Sequence, residues 1–299
     1  MQQISGYIRM MDHTGINPVE YKFCYVTYSD EASGKKKSAC PATEHSTMET
    51  VQSWIGKKIR IQTNGQIRCT ICGKPTSKSF GQGACFSCFS EKAETDLCIL
   101  RPETCHFHKG TCREPDWGKT NCFKTHTVYF ANSSGLKVGI TKENPVSNRW
   151  VDQGASFGIP VLTVDSRYAA GVIESYLSQF MPDKTSWQKM IQSEPEFIDL
   201  LREKNKFLAH LQKQTFYLNT TETKKSELIF QPAPDSTLTE IRYPIQAYPK
   251  KIKSLKLSPD SMIFDRLTGI KGQYLLFESG AINIRSQSGL QFSLEVLDE

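Results

Sequence analysis

The chain has 299 residues, a formal net charge of +6 and 38% apolar residues, enough to bury more than one hydrophobic core. No apolar run approaches the roughly 18 residues of a membrane span, and the opening Met-Gln-Gln-Ile-Ser-Gly-Tyr lacks the apolar stretch of a secretory signal. The expected location is therefore the reducing cytosol, with no membrane partner, where ten cysteines mean metal or redox chemistry rather than disulfides.

Residues 1–68 favour strands. The stretch 21–28, Tyr-Lys-Phe-Cys-Tyr-Val-Thr-Tyr, is rich in aromatic and β-branched residues, and Lys58-Ile59-Arg60-Ile61-Gln62 alternates with period two. Asn64-Gly65 is a hairpin signal that delivers the chain to the next segment. An N-terminal β-rich unit is expected over 1–68, with Cys24 and Cys40 as ordinary free thiols, which behave as small apolar residues.

Cys69-Thr-Ile-Cys72 follows, and after the twelve residues 73–84 comes Cys85-Phe-Ser-Cys88. Each two-residue gap lets a tight turn aim both sulfurs at one point, so the two knuckles predict a tetrahedral four-thiolate site for structural Zn2+. Gly73, Gly81 and Gly83 supply the backbone freedom such turns need. A single thioredoxin-like Cys-x-x-Cys would sit in a βαβ unit, which two consecutive knuckles argue against.

A second cluster holds Cys98, Cys105, His106, His108, Cys112, Cys122 and His126, seven donors within 29 residues and more than one ion can use. Cys98, Cys105, Cys112 and Cys122 are the expected ligands of a second structural Zn2+, with His106 or His126 as replacements for one of them. Regular periodicity vanishes between 89 and 125, as it does where metal substitutes for a core. The two clusters together define an expected zinc segment over 69–125. A four-thiolate zinc site carries about −2 and a site of three thiolates and one histidine about −1, so one of each would bring the net charge down to about +3.

Residues 126–214 read as an α+β module, with strands at 126–131, 136–141 and 159–165 and helices at 167–180 and 197–214. The Ala170, Glu174, Leu177 spacing puts Glu174 on or beside the apolar stripe of its helix, where a carboxylate needs a partner or a metal. Pro232-Ala-Pro234 reads as a linker, and period-two runs return over 241–296. A C-terminal β-rich, barrel-like domain is expected over 215–299. Its stretch 269–282 faintly echoes 55–67, a hint of two related small barrels.

The order Tyr129 on a strand, Lys137 and Gly139 on the next, Arg149-Trp150, then Glu174 on a helix resembles the GIY-YIG fold. That resemblance implies metal-dependent phosphodiester hydrolysis. Tyr129 would help activate the nucleophile, Arg149 would stabilise phosphorane charge and Glu174 would hold one Mg2+ or Mn2+. Lys137 stands where the family has its second tyrosine, and could lower the Tyr129 pKa, line the cleft wall or clamp a phosphate. Over nearly the full length, the zinc ribbon, Gly-Thr-Cys-Arg (110–113), Lys-Val-Gly-Ile-Thr, Arg-Trp-Val-Asp-Gln-Gly-Ala (149–155), Asp-Lys-Thr-Ser-Trp (183–187) and Gly-Ile-Lys-Gly-Gln-Tyr (269–274) resemble an uncharacterised prokaryotic zinc-ribbon family. That likeness implies no established activity.

Basic residues concentrate at 35–37, at Lys57 and Lys58, at Lys74 and Lys78, and at Lys250 and Lys251. With Arg149 they are the expected contacts to nucleic acid, DNA or RNA, which small barrels and zinc ribbons grip by tracking the backbone and stacking on bases. Three functions fit these residues: a GIY-YIG-type nuclease, a noncatalytic nucleic-acid reader and a zinc-based protein-interaction scaffold.

Overall fold

The alternation at 58–62 produces a central strand. In Lys58–Gln62, Ile59 and Ile61 are buried while Lys58 and Gln62 face solvent, the one-sided pattern of a sheet that covers a core. Its neighbours both come from the other end of the chain: Ile263–Lys271 on one side and Gln291–Leu297 on the other, antiparallel in each case. The computed structural model describes residues 2–28, 44–142, 145–181, 186–234 and 236–297. Cys40, the 35–37 lysine run and positions 183–185 lie outside the described residues.

The chain divides into two units. The first comprises Met1–Ser90 with Arg242–Glu299, the second Glu91–Ile241. In the first, nine strands form one curled, half-barrel sheet. Its order is Gly280–Asn283, Tyr274–Phe277, Ile263–Lys271, Lys58–Gln62, Gln291–Leu297, Gln2–Ile8, Glu20–Tyr28 and Asp12–Thr14, with Glu44–Thr50 also on Glu20–Tyr28. Phe23 is at its centre, with ring centroids 5.2 Å from Phe292 and 6.0 Å from Trp54. All three rings are buried.

This arrangement corrects the expected divisions. The β-rich stretches of 1–68 and 215–299 share a sheet, so the echo between 55–67 and 269–282 joins neighbouring strands of one layer rather than two barrels. The 69–125 segment is divided at 90/91 between the units. Pro232 is no linker: Gln231–Pro232 pairs with Phe157–Val164, and Ala233 N–H donates to Val161 O at 3.0 Å. Asn64-Gly65 closes no hairpin either, since Ile67–Arg68 pairs with Pro75–Thr76 instead. The Asn64 side chain caps its own turn by accepting from Gln66 N–H at 2.9 Å, the alternative use of an Asn-Gly pair.

The second unit is mixed α/β. His126–Asn132 is flanked by Leu136–Thr141 and Phe157–Val164, both antiparallel to it. One face of this sheet carries Val128, Phe130, Val138, Ile140, Ile159 and Val161. These pack against Ala169, Ala170, Ile173 and Leu177 of the Arg167–Leu177 helix and Leu200, Phe207 and Leu211 of the Leu200–Leu211 helix. Side chains alternate along a strand, so Tyr129 and its ladder partner Gly139 belong to the opposite face, beneath Trp150 of the Ser147–Asp152 helix.

Candidate metal centre and basic cleft

In the first unit the knuckles fold as their spacing demands. Gly73, Gly81 and Gly83 all take positive φ, at 70°, 60° and 104°. At Gly83 a β-carbon would also lie 2.5 Å from Thr70 Cγ2 and 2.8 Å from Ser288 O, so no other residue fits. The sulfurs of Cys69, Cys72, Cys85 and Cys88 lie within 4.8 Å of one another, with Cys72 Sγ 3.8 Å from Cys85 Sγ. Three backbone amides converge on Cys69 Sγ: Cys85 N–H at 3.2 Å, Ile71 N–H at 3.4 Å and Cys72 N–H at 3.5 Å. Such donors stabilise a thiolate and orient it toward a metal.

The electrostatics agree with that reading. Burial pushes the Cys69 thiol up, but the amides of Cys72, Cys85 and Ile71 outweigh it and bring its pKa down to about 7. Burial pushes Cys72 and Cys88 up, Cys88 further because the neighbouring sulfurs crowd it. Four close thiols cannot all ionise unaided; a divalent cation supplies the charge that lets them. The apolar core of the ribbon consists of Cys69, Ala84 and Cys88, flanked by Ile71, Cys72 and Cys85, so the ligands are also the core. This group could hold a metal ion such as zinc. Every cysteine among the described residues is a free thiol. Cys24 is one of them, half-buried on its strand.

The second cluster, in the second unit, is looser. Cys98, Cys105, Cys112 and Cys122 line a single cavity with Asp96 and His106, yet the one close donor group there, among the described residues, is Asp96, Cys98 and His106. The four sulfurs are therefore gathered but not drawn into a tetrahedron. Burial raises the Cys98 thiol to about 12, helped by the Asp96 charge, and raises Cys105 and Cys122 as well. His106 bonds Thr111 through Nδ1 at 2.8 Å and approaches Asp96 through Nε2 at 3.4 Å. His108 stacks on Tyr168. His126 is fully buried, with Nδ1 on Lys124 O at 2.7 Å, and is not among the residues lining the cavity.

The third group of expected residues surrounds Tyr129. Its phenol is completely buried and donates to Gln153 Oε1 at 3.0 Å. Burial pushes its pKa well above the usual value; Arg149, which hydrogen-bonds the phenol, pulls it down, and the Glu174 charge raises it again. Tyr129, Arg149 and Glu174 are thus near neighbours, and Tyr129 is a neutral hydrogen-bond donor rather than a base. Arg149 is a cation that acts on the phenol, and Lys137 is buried, opposite Ala131 in the ladder. Trp150 does not share the half-exposed position of Arg149. It is buried against Gly158 and edge-on to Tyr129 at 5.9 Å.

Three residues went unassigned in the sequence reading. Gln153 falls within the 149–155 motif, and its role appears only once the helix turns it toward Tyr129. Asp96 is a buried carboxylate that accepts from Cys98 N–H at 3.1 Å and pairs with Arg113 at 2.8 Å. Arg167, first in its helix, donates through Nη2 to Ile99 O and interacts electrostatically with Cys122, Glu174, Arg149 and Cys98. The sequence signal for Arg167 was a cation directly after a Ser N-cap, a position where the helix dipole favours anions.

A family model described as "Protein of unknown function (DUF2797)" matches residues 56–292. The chain belongs to this family. The match takes in both cysteine groups and the Tyr129 neighbourhood, in keeping with the uncharacterised family that the motif order resembles. DUF2797 membership assigns no activity, and it supports neither the GIY-YIG likeness nor nucleic-acid binding. No curated protein and no solved structure matches the chain.

Of the expected nucleic-acid contacts, Lys58, Lys74, Lys78, Lys250 and Lys251 are exposed on the first unit, and Lys57 is half-buried there. Arg149 is half-buried on the second. No helix among the described residues is long and apolar enough to cross a membrane.

Proposed function

We propose that the chain is a zinc-containing, phosphodiester-binding protein whose second unit carries a divalent-metal-dependent phosphodiesterase centre. The observation that supports it is the company of Tyr129: an arginine in hydrogen-bond contact and a carboxylate within electrostatic reach, drawn from a strand, the helix after its hairpin and a later helix. An arginine fork matches phosphate oxygens in pairs. Glu174 offers one hard oxygen ligand, which fits Mg2+ or Mn2+ because Mg2+ keeps several waters and commonly takes only one or two carboxylates. When bound, such an ion would polarise a phosphoryl oxygen and lower the pKa of a water. Tyr129, neutral and pinned by Gln153, serves to position Arg149 rather than to take the proton. The Cys69, Cys72, Cys85, Cys88 group holds structural Zn2+ in this reading. The exposed lysines of the first unit supply sequence-independent contacts to DNA or RNA phosphates.

A second reading, a noncatalytic reader, draws on one observation: the phenol is fully buried and already bonded, so it cannot touch a substrate as it stands. One experiment separates the two. Labelled DNA and RNA pools are incubated with the wild-type chain, Glu174→Ala and Arg149→Ala, with and without Mg2+ or Mn2+, and both retention and cleavage are scored. Metal-dependent cleavage that Glu174→Ala abolishes while retention persists supports the enzyme. Retention without cleavage under any metal leaves the reader, and neither retention nor cleavage at low salt overturns both.

A further inference from the structure

We propose that residues 91–125 are organised by a second zinc ion held by the thiolates of Cys98, Cys105, Cys112 and Cys122, with Arg167 as its buried counter-charge. This does not rest on the phosphodiesterase reading. The first argument is how the segment packs. Its regular structure is a four-residue helix, an eight-residue helix and three single 3-10 turns, and both of its leucines point the wrong way for a core. Leu97 and Leu100 are 58% and 78% exposed, while the four half-buried cysteines line one cavity. A fold that turns its leucines out and its thiols in relies on something other than apolar burial, and four soft sulfur donors select zinc among the common structural ions.

The second argument is Arg167. Its Nε is buried without a hydrogen-bond partner, and its Nη2 is committed to Ile99 O. A buried guanidinium is costly unless an anion accompanies it. Glu174 acts on it from the helix side but is shared with Arg149; four neutral thiols on the other side add no charge, whereas zinc on four thiolates carries a net charge of about −2. The geometry also separates ligands from support. Asp96 and His106 are engaged with each other, with Arg113 and with Thr111, and Asp96 fixes the turn that presents Cys98 by accepting its N–H. They brace the site, as carboxylates and histidines around metal centres commonly do. The sulfurs must then close on the ion from their present spacing.

Elemental analysis of the purified full-length chain tests the count. Two zinc ions per chain are expected, one in Cys72→Ser, one in Cys112→Ser and none in the double variant; one ion in the wild type that Cys112→Ser leaves in place overturns the proposal. Cobalt substitution in Cys72→Ser tests the ligand set without relying on retention of zinc. The remaining site should show the intense sulfur-to-cobalt charge-transfer absorption of four thiolates, reduced in Cys122→Ser and unchanged in His106→Ala; the reverse pattern refutes the thiolate set. Arg167→Gln should weaken metal affinity roughly 10–100-fold, the usual effect of losing an outer partner of a metal site, and unchanged affinity refutes the counter-charge role.

Discussion

Gly139→Ala isolates the packing that holds the Tyr129 neighbourhood together. Gly139 has no positive φ, so alanine can adopt its backbone and the cost is steric. The new β-carbon would lie 2.4 Å from the Tyr129 hydroxyl oxygen, 2.6 Å from Cζ and 3.0 Å from Cε2, against a favourable carbon contact of about 3.5–4.0 Å. The ring has nowhere to go. It is fully buried, its hydroxyl is tied to Gln153 at 3.0 Å, and Trp150 lies edge-on to it. Overpacking of this kind costs about 1–3 kcal/mol, and loss of the Gln153 bond adds about 1 kcal/mol. Restriction of the unfolded chain returns about 0.5 kcal/mol. The net expectation is a destabilisation of roughly 2–3 kcal/mol, measured by urea unfolding of the full chain with tryptophan fluorescence. In a double-mutant cycle with Tyr129→Ala, the two changes should be non-additive by about 1 kcal/mol or more. A Gly139→Ala variant within about 0.5 kcal/mol of wild type, the range of an ordinary surface change, would refute the reasoning.

Three other outcomes follow from the same structure. Burial raises the Tyr129 pKa, so the folded state keeps the phenol proton more tightly than the unfolded state. The associated stability is complete below the unfolded value near pH 10 and is lost as pH rises above it. Tyr129→Phe should therefore flatten the alkaline limb of the stability curve, and an unchanged limb contradicts the burial argument. Cys72→Ser should remove the zinc of the first unit and expose the amides of residues 67–88 to rapid hydrogen exchange, because the ribbon has no core besides its ligands; protected amides in the metal-free variant would show that it folds without the ion. Retention of DNA or RNA should fall steeply between about 50 and 200 mM salt as neutralised phosphates recover their counterions, and a salt-independent signal would exclude phosphate contacts.

What could be read from the sequence was local. The alternation of Lys58–Gln62, the strands at His126–Asn132 and Leu136–Thr141, and the Cys69 to Cys88 knuckles each depend on neighbours a few residues away, and each formed as its pattern implied. Helices expected over 167–180 and 197–214 proved shorter, at Arg167–Leu177 and Leu200–Leu211, because helix ends fray where apolar spacing alone gives no stop. Pairing between distant segments was not legible. Nothing in Ile59 or Ile61 names Ile263 or Leu294 as a partner, so one sheet looked like two barrels. Burial of Trp150 depended on Gly158, where a β-carbon would lie 2.4 Å from the indole, and that contact joins two elements whose patterns carry no mutual signal.

The division at 90/91 changes how the cysteines should be understood. Consecutive in sequence, the two groups suggested a single zinc segment; in three dimensions each belongs to a different unit. In the first unit the sulfurs form a small cluster of their own beside a two-stranded sheet, apart from the aromatic core of the nine-stranded sheet, so removing metal there should loosen the ribbon alone. In the second unit the thiol cavity is lined by the segment that also supplies Ile99 O to Arg167, and Pro102 packs on Gly171 of the same helix, where a β-carbon would come within 2.4 Å. Arg167 and Glu174 are two turns apart on that helix. Loss of order around Cys98 to Cys122 would therefore reach the helix that carries Glu174, and through it the charges around Tyr129. The two thiol groups thus differ in consequence: an ion in the first would support a ribbon whose ligands are its core, and one in the second would support the element on which the proposed chemistry depends.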